Sequence, residues 1–223
     1  MKARNLCFKK VFWLFLAFLF SCSKDYIIFE NELQNGDFVF VEAKQENLSG
    51  AINRVTQKSK IESFDHVGLV EVESGKIFIL HASPKLGTNR QPLEEFYKEN
   101  VENNQKMVIY RLKQQYQKTI RPAIVQSKKM LGKPYNWTYI LDENSYYCSD
   151  FIERIFRKDS IFEHIPMNFK NPQTDQIDDF WVDFYQKLNL EVPQNQNGTN
   201  PNQLANSEKL VRTGVLLFGT SKK

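Results

Sequence analysis

The chain has 223 residues, enough for one well-cored domain with a leader, in a globular composition rich in Phe and Tyr. Its formal charge of +4 comes from the N-terminus: Lys2, Arg4, Lys9 and Lys10 precede Cys22 and no acid does, so residues 22–223 carry 26 basic and 26 acidic side chains. A neutral body argues against a nucleic-acid binder, whose electrostatic footprint is basic.

Residues 1–21 read as a targeting segment. A basic stretch precedes the apolar run 11–20, too short to span a bilayer but suited to the core of a signal peptide. The junction Leu19-Phe20-Ser21-Cys22-Ser23 resembles a bacterial lipobox, with Phe20 larger than the residue usual there. That resemblance implies lipidation of Cys22, a membrane-anchored lipoprotein and a place in the bacterial cell envelope; ordinary signal cleavage and a membrane anchor are the alternatives. The organisation expected is a signal peptide over 1–21, a tether over 22–33 and one domain over 34–223. Cys7 leaves with the leader and Cys22 takes the lipid, so Cys148 is the lone thiol of the body and no intramolecular disulfide can form there.

Taken in order, the pattern predicts a strand over 36–42, opened by a glycine turn, and a partly helical or looped stretch over 47–60. Strands follow over 65–71 and 76–82, joined at Glu73-Ser74-Gly75. A short helix is expected over 92–100, a strand over 107–112 and an amphipathic helix over 117–131, with Pro122 in or near its first turn. Gly132-Lys133-Pro134-Tyr135 stops that helix. The next helix begins near Cys148, with Ser145 or Asn144 as N-cap, and ends near Asp159. Residues 177–190 are read as a helix, 191–206 as a long loop and 210–218 as a closing strand. There is no internal repeat. Strands followed by helices indicate an α+β fold with an antiparallel sheet packed on helices.

Phe151, Ile152, Ile155 and Phe156 recur at helical spacing, and Cys148 lies on their face. A thiol at a helix N-terminus meets exposed N–H groups and the positive end of the dipole, which favour the thiolate. A small buried core residue is the plainer reading. His66 and His81 sit on consecutive strands, and an even-numbered loop puts both on one face; the expectation is that the Cys148 helix packs on that face. Cysteine nucleophile, histidine base and a second polar group orienting the base together suit nucleophilic catalysis. A buried histidine pair and a Cys/His/His zinc site compete with it, although no Cys-x-x-Cys, His-x-x-x-His or His-x-His spacing supports metal. His164, beside Pro166, reads as a surface or packing residue.

Gly36-Asp37-Phe38-Val39-Phe40, Asp65-His66-Val67-Gly68-Leu69-Val70, Gly132-Lys133-Pro134-Tyr135-Asn136-Trp137 and Tyr147-Cys148-Ser149-Asp150-Phe151-Ile152 stand in the order and spacing of a family. The pattern resembles the YiiX/YebB-like cysteine hydrolases, circularly permuted, papain-like members of the NlpC superfamily, over most of residues 33–210. The resemblance implies Cys148 as nucleophile, His66 as base and His81 as third polar residue, a position often held by Glu in that family. It implies no cofactor or metal. Tyr135 is a candidate for binding substrate or a developing oxyanion. For Asp37, at the family's Gly-Asp opening, a turn-stabilising role competes with a catalytic one. The function expected is hydrolysis of amide bonds, in peptide or peptidoglycan-fragment substrates. A lecithin retinol acyltransferase-like enzyme acting on lipid esters is the first alternative, and a non-catalytic binding lipoprotein the second.

Overall fold

The computed structural model describes residues 25–57 and 62–219; the leader, Cys22 and the start of the expected tether lie outside them. In chain order the elements are β1 (Ile27–Phe29), β2 (Phe38–Glu42), α1 (Asn47–Thr56), β3 (Phe64–Glu73), β4 (Lys76–Ser83), β5 (Gly87–Pro92), α2 (Leu93–Val101), β6 (Met107–Leu112), α3 (Ile120–Lys129), α4 (Cys148–Phe156), β7 (Ile165–Pro166), α5 (Asp179–Lys187), β8 (Asn197–Gly198), α6 (Pro201–Ala205) and β9 (Leu210–Leu217). Seven strands form one sheet in the order β1-β9-β6-β2-β3-β4-β5. Every pairing in it is antiparallel except β1 with β9. The fold is thus α+β, built on a largely antiparallel sheet.

Both faces of the sheet are covered, which is why β2 reads as a continuous apolar run rather than an alternating one. Phe38, Phe40, Val67, Leu69 and Leu80 point to the face where α4 lies, against Phe151, Ile152, Ile155 and Phe156. Val39, Val41, Val70, Ile79 and Ile109 point the other way, against Leu93 and Phe96 of α2. A nine-residue helix such as α4 is marginal alone. Burying a large apolar side chain contributes about 1.5–3 kcal/mol, so the four on α4 decide its stability. A third cluster joins α1 and α5 through Ala51, Tyr139, Tyr147, Trp181 and Tyr185.

The strands of the seven-stranded sheet fall close to the expected places, with two additions, and β7 and β8 form a separate small pair. Gly87-Thr88-Asn89-Arg90-Gln91-Pro92 forms β5 on the sheet edge although its polar composition shows no strand periodicity. The second correction concerns the tether. Ile27–Phe29 are a strand paired with Val215–Leu217, and Ile28 is buried, so the folded body begins before residue 34. The apolar Ile27-Ile28-Phe29 run fills an edge of β9 that would otherwise stay open. Within the expected loop, Pro201–Ala205 form a short helix under a capping box between Asn200 and Gln203.

Asp37 is fully buried in the turn before β2. Its carboxylate takes both arms of Arg111, at 2.6 and 2.8 Å, and the Gln34 N–H at 2.9 Å. This is the turn-stabilising role, at the opposite end of β2 from the strand residues that reach His66. Removing one partner of a buried pair strands the other charge, so Asp37→Ala should lower stability by about 3 kcal/mol. Urea unfolding measures that loss, and Arg111→Ala, which strands the fully buried carboxylate, should cost at least as much.

Candidate active site

Cys148 is the first residue of α4. The N-cap is Tyr147, which gives no side-chain cap, rather than Ser145 or Asn144. The helix start is instead held from the side by the stretch between β8 and α6. The Thr199 N–H donates to the Tyr147 hydroxyl at 3.0 Å, and the Thr199 and Ser149 hydroxyls pair at 3.0 Å. The thiol points at the backbone of β3: its Sγ lies 3.9 Å from the Asp65 carbonyl oxygen, and the Val67 N–H turns toward the sulfur. These two groups flank His66. The last regular pair between β3 and β4 is Leu69 with Leu80. Beyond it β3 keeps its pairing with β2 and β4 its pairing with β5.

The β3–β4 hairpin turns on Ser74-Gly75, with Glu73 opposite Lys76. The loop is even, so His66 and His81 share a face as expected. The register is two residues away from the one that would set them directly opposite: His81 faces Gly68, and His66 is its diagonal neighbour. A diagonal pair meets only if nothing stands between. A Cβ on Gly68 would collide with Ile79 Cγ2 and lie 3.3 Å from His81 Cβ, so the glycine leaves the space through which His66 Nε2 and His81 Nδ1 meet at 2.8 Å. The face is not the expected one. Both rings pack near Phe96 of α2, at 6.1 and 5.2 Å between centroids, whereas α4 covers the opposite face. The thiol meets β3 at the backbone on either side of His66, from the face opposite the imidazoles.

Hydrogen bonding sets the tautomers of both rings. Glu99 Oε2 accepts from Gln91 Nε2 at 3.0 Å, which turns the Gln91 oxygen toward His81 Nε2, 3.1 Å away. That nitrogen therefore carries the proton, and Nδ1 of neutral His81 is an acceptor. His66 must donate to it through Nε2–H. The unprotonated nitrogen of His66 is then Nδ1, free to act as a base. Burial holds His81 down at about 4, and burial plus the neighbouring His81 holds His66 well below the ordinary 6.5. Both rings are neutral at physiological pH.

The thiol differs from expectation. Burial, followed by the negative charge of Asp65, pushes Cys148 up to about 12, and the N–H groups of Ser149, Val67 and Cys148 offset only part of this. The helix N-terminus favours the thiolate as anticipated, but desolvation in the closed site is the larger effect. At rest the site holds a neutral thiol and two neutral imidazoles.

Tyr135 and Cys148 line one pocket of about 60 Å³ together with Tyr139, Tyr147, Trp181 and Asp65. An adjoining cleft of about 220 Å³ is bordered by His66 and shares Asp65, Tyr135 and Tyr139 with it. Tyr135 thus shares one pocket with Cys148 and the adjoining cleft with His66, His81 pairs with His66, and Cys22 lies outside the described residues. His164 stands apart, 3.2 Å from Glu153 on the surface side of α4. Among the described residues, Cys148, His66 and His81 do not close to a common metal-ligand distance; Asp150, Glu153 and His164 do, but Arg154 and Arg157 already occupy both carboxylates. Asp65, Tyr139, Gln91 and Glu99 join the site without having been singled out in the sequence. Only Asp65 had a signal, its position next to His66.

A cysteine opening a helix, set against a strand that carries an oriented imidazole, is the layout of papain-like thiol hydrolases, with histidine preceding cysteine in this chain. Residues 32–213 match the profile of the permuted papain-like amidase enzymes, the YaeF/YiiX or C92 family, and the chain belongs to that family of cysteine amidases. It is similar in fold to the crystal structure of the metalloprotein YiiX from Escherichia coli O157:H7, with a TM-score of 0.66 at 18% identity, covering 81% of this chain and 96% of that one. No curated protein matches it significantly.

The tautomer chain gives a direct test. Glu99→Gln would let the Gln91 amide turn either way and remove the preference for Nδ1 as the free nitrogen of His66. A wrong tautomer at the residue bonded directly to a catalytic base can cost about 10⁴-fold. Glu99 is two bonds removed, so kcat should fall about tenfold with KM unchanged. Steady-state kinetics on any amide turned over by the wild type measure both.

Proposed function

We propose that this chain is an envelope-anchored thiol amidase acting on cell-wall-type peptides, with Cys148 as nucleophile, His66 as base, His81 as the residue orienting that base and Tyr135 as a substrate-binding residue. The observation that carries the reading is the chain from Glu99 through Gln91 and His81, which leaves His66 Nδ1 as an unprotonated nitrogen on the strand that borders the thiol. On this reading Nδ1 takes the thiol proton as sulfur attacks the carbonyl. The Cys148 backbone N–H and the Tyr135 hydroxyl face the developing oxyanion, and His66 returns the proton to the leaving amine. Water then releases the acyl group from Cys148.

The pocket favours a peptide over a lipid. Ile52, Val55, Met167, Phe169 and Trp181 make it apolar, but at about 60 Å³ it is less than half the roughly 150 Å³ cavity that holds benzene in an engineered protein. A methyl-sized side chain suits it better than an acyl chain. Cys148→Ala should abolish cleavage of wall peptides, and His66→Ala should reduce kcat roughly 10²–10⁴-fold. Faster turnover of lipid esters than of wall peptides would reverse the assignment in favour of the acyltransferase-like alternative. Because His66 is held below 6.5, the acid limb of the kcat/KM profile should lie below that value: a neutral base is lost only when pH falls through its depressed pKa. A limb at or above 6.5 would contradict His66 as the base.

The anchor is supported by the apolar run ending at Ser21-Cys22, and among the described residues no helix is long and apolar enough to cross a membrane. A fatty-acid analogue supplied to cells should label the wild type and not Cys22→Ala. Equal labelling of the two would remove the anchor from the proposal.

A further inference from the structure

Asp65 sits at an irregularity of β3. The register with β2 shifts between Val41 and Glu42, whose partners are His66 and Phe64, so Asp65 has no partner on β2. A bulge of this kind re-aims the side chain it carries. Oδ2 is held by Gln105 Nε2 at 3.4 Å, and the Ser49 hydroxyl gives the carboxylate a further hydrogen bond. Oδ1 is enclosed and has no hydrogen-bond partner. Leaving a buried acceptor unmatched costs about 1–3 kcal/mol, more when it is charged. Asp65 belongs to the wall shared by the Cys148 pocket and the His66 cleft.

Tyr139 stands in the same wall with its own unmatched atom. Its buried hydroxyl approaches that of Tyr135, too loosely for an ordinary hydrogen bond. Its backbone is left-handed, with φ of 56°. That is an unfavourable conformation for an aromatic residue, and the surroundings must hold it in place. Two unmatched oxygens, one of them a carboxylate, therefore flank the thiol. Among the described residues no side-chain cation pairs with Asp65; Lys44 contributes a backbone N–H and, from an exposed position, the field of its charge. Burial raises the Asp65 carboxyl to about 6, so it is ionised at pH 8, where its charge opposes formation of the neighbouring thiolate.

We infer that Asp65 is a specificity-determining residue that binds a protonated primary amine of the substrate close to the scissile carbonyl, and so couples occupation of the site to the reactivity of Cys148. The inference rests on the thiol-amidase reading and names the substrate class within it. A primary ammonium carries three N–H donors, enough for Asp65 Oδ1 and the Tyr139 oxygen together. It also neutralises the charge beside the sulfur. An acetylated amine offers one N–H and no charge, and a carboxylate is repelled.

Two readouts test this in the wild type and in Asp65→Asn, which keeps the size of the side chain and the Gln105 contact; equal melting temperatures establish that the variant folds. The first is alkylation of Cys148 at pH 8 by 2-bromoethylammonium, iodoacetamide and iodoacetate, each rate divided by that for a free thiol. The wild type should prefer the cationic reagent to the neutral one at least tenfold and the anionic one least, and Asp65→Asn should bring the three together. Ethylammonium ion added to the wild type should speed alkylation by iodoacetamide, with no such effect in the variant. The second readout compares alanyl amides with a free and an acetylated amino group. The wild type should favour the free amine at least tenfold in kcat/KM, and Asp65→Asn should lose the preference while still cleaving the acetylated form.

An unchanged charge preference in Asp65→Asn, or a wild-type preference for the acetylated amide, overturns the inference and leaves the amidase reading standing. Charge-selective alkylation without cleavage of either amide supports the Asp65 site and counts against the amidase reading for these substrates. A thiol inert to all three reagents in the folded protein, even with ethylammonium present, overturns both.

Discussion

The site depends on one hydrogen bond, 2.8 Å long, between two neutral imidazoles. Two imidazolium ions at that distance would repel, and two rings that both present an N–H, or both a lone pair, to the contact would fail to pair. The contact therefore needs burial to keep both rings neutral and an external reference to choose the tautomer. Phe96 and the sheet supply the first. Glu99 supplies the second, because a carboxylate can only accept and its demand passes through Gln91 to His81 and then to His66. Each ring has one orientation in which every neighbour is satisfied. Rigid elements hold the whole set: β3 and β4 for the rings, β5 for Gln91 and α2 for Glu99.

The same burial that orders the histidines keeps the Cys148 thiol protonated. A thiol at a helix N-terminus can be prepared as a thiolate, with the ion pair formed in advance, or be deprotonated only as it attacks. The enclosed Cys148, with a carboxylate near it and no positive charge facing it, belongs to the second kind in its resting state. Such a site resists alkylation and oxidation while empty, since both reactions need the thiolate. The barrier it must lower is correspondingly greater, and contacts made only with bound substrate have to lower it.

Much of this was legible in the residues. Strands β2, β3, β4 and β6 and helices α3 and α4 follow from periodicity, because apolar faces that must be buried impose it. His66 and His81 share a face because a two-residue turn preserves parity, and parity survives an error of two residues in register. Direction across the sheet is a different matter. Both faces are buried, so alternation cannot say which of them α4 covers, and the thiol meets the β3 backbone on either side of His66 from the face opposite the imidazoles. Nothing in a local window marks that approach. Gln91 and Glu99 were equally silent, since a polar edge strand and an acid on an amphipathic helix each have an ordinary explanation. The helix N-terminus at Cys148 was recognised, but its effect on the thiol depends on enclosure by Tyr135, Tyr139 and Tyr147, which only the folded chain supplies.

The parallel pairing of β1 with β9 bears on how this protein can be cut. Gly214 lies so close to the Tyr26 carbonyl that a side chain there would strike it, and the Val215 N–H donates to that carbonyl at 2.8 Å. A truncation at residue 34, where the motifs begin, would strip this strand away and uncover one side of Leu210–Leu217. The uncovered strand would present a row of free amide groups, with Val211 and Leu217 already exposed beside them. Open edges of that kind recruit other chains. Such a fragment would be prone to self-association despite an intact catalytic site, whereas one beginning at Asp25 would keep the edge closed.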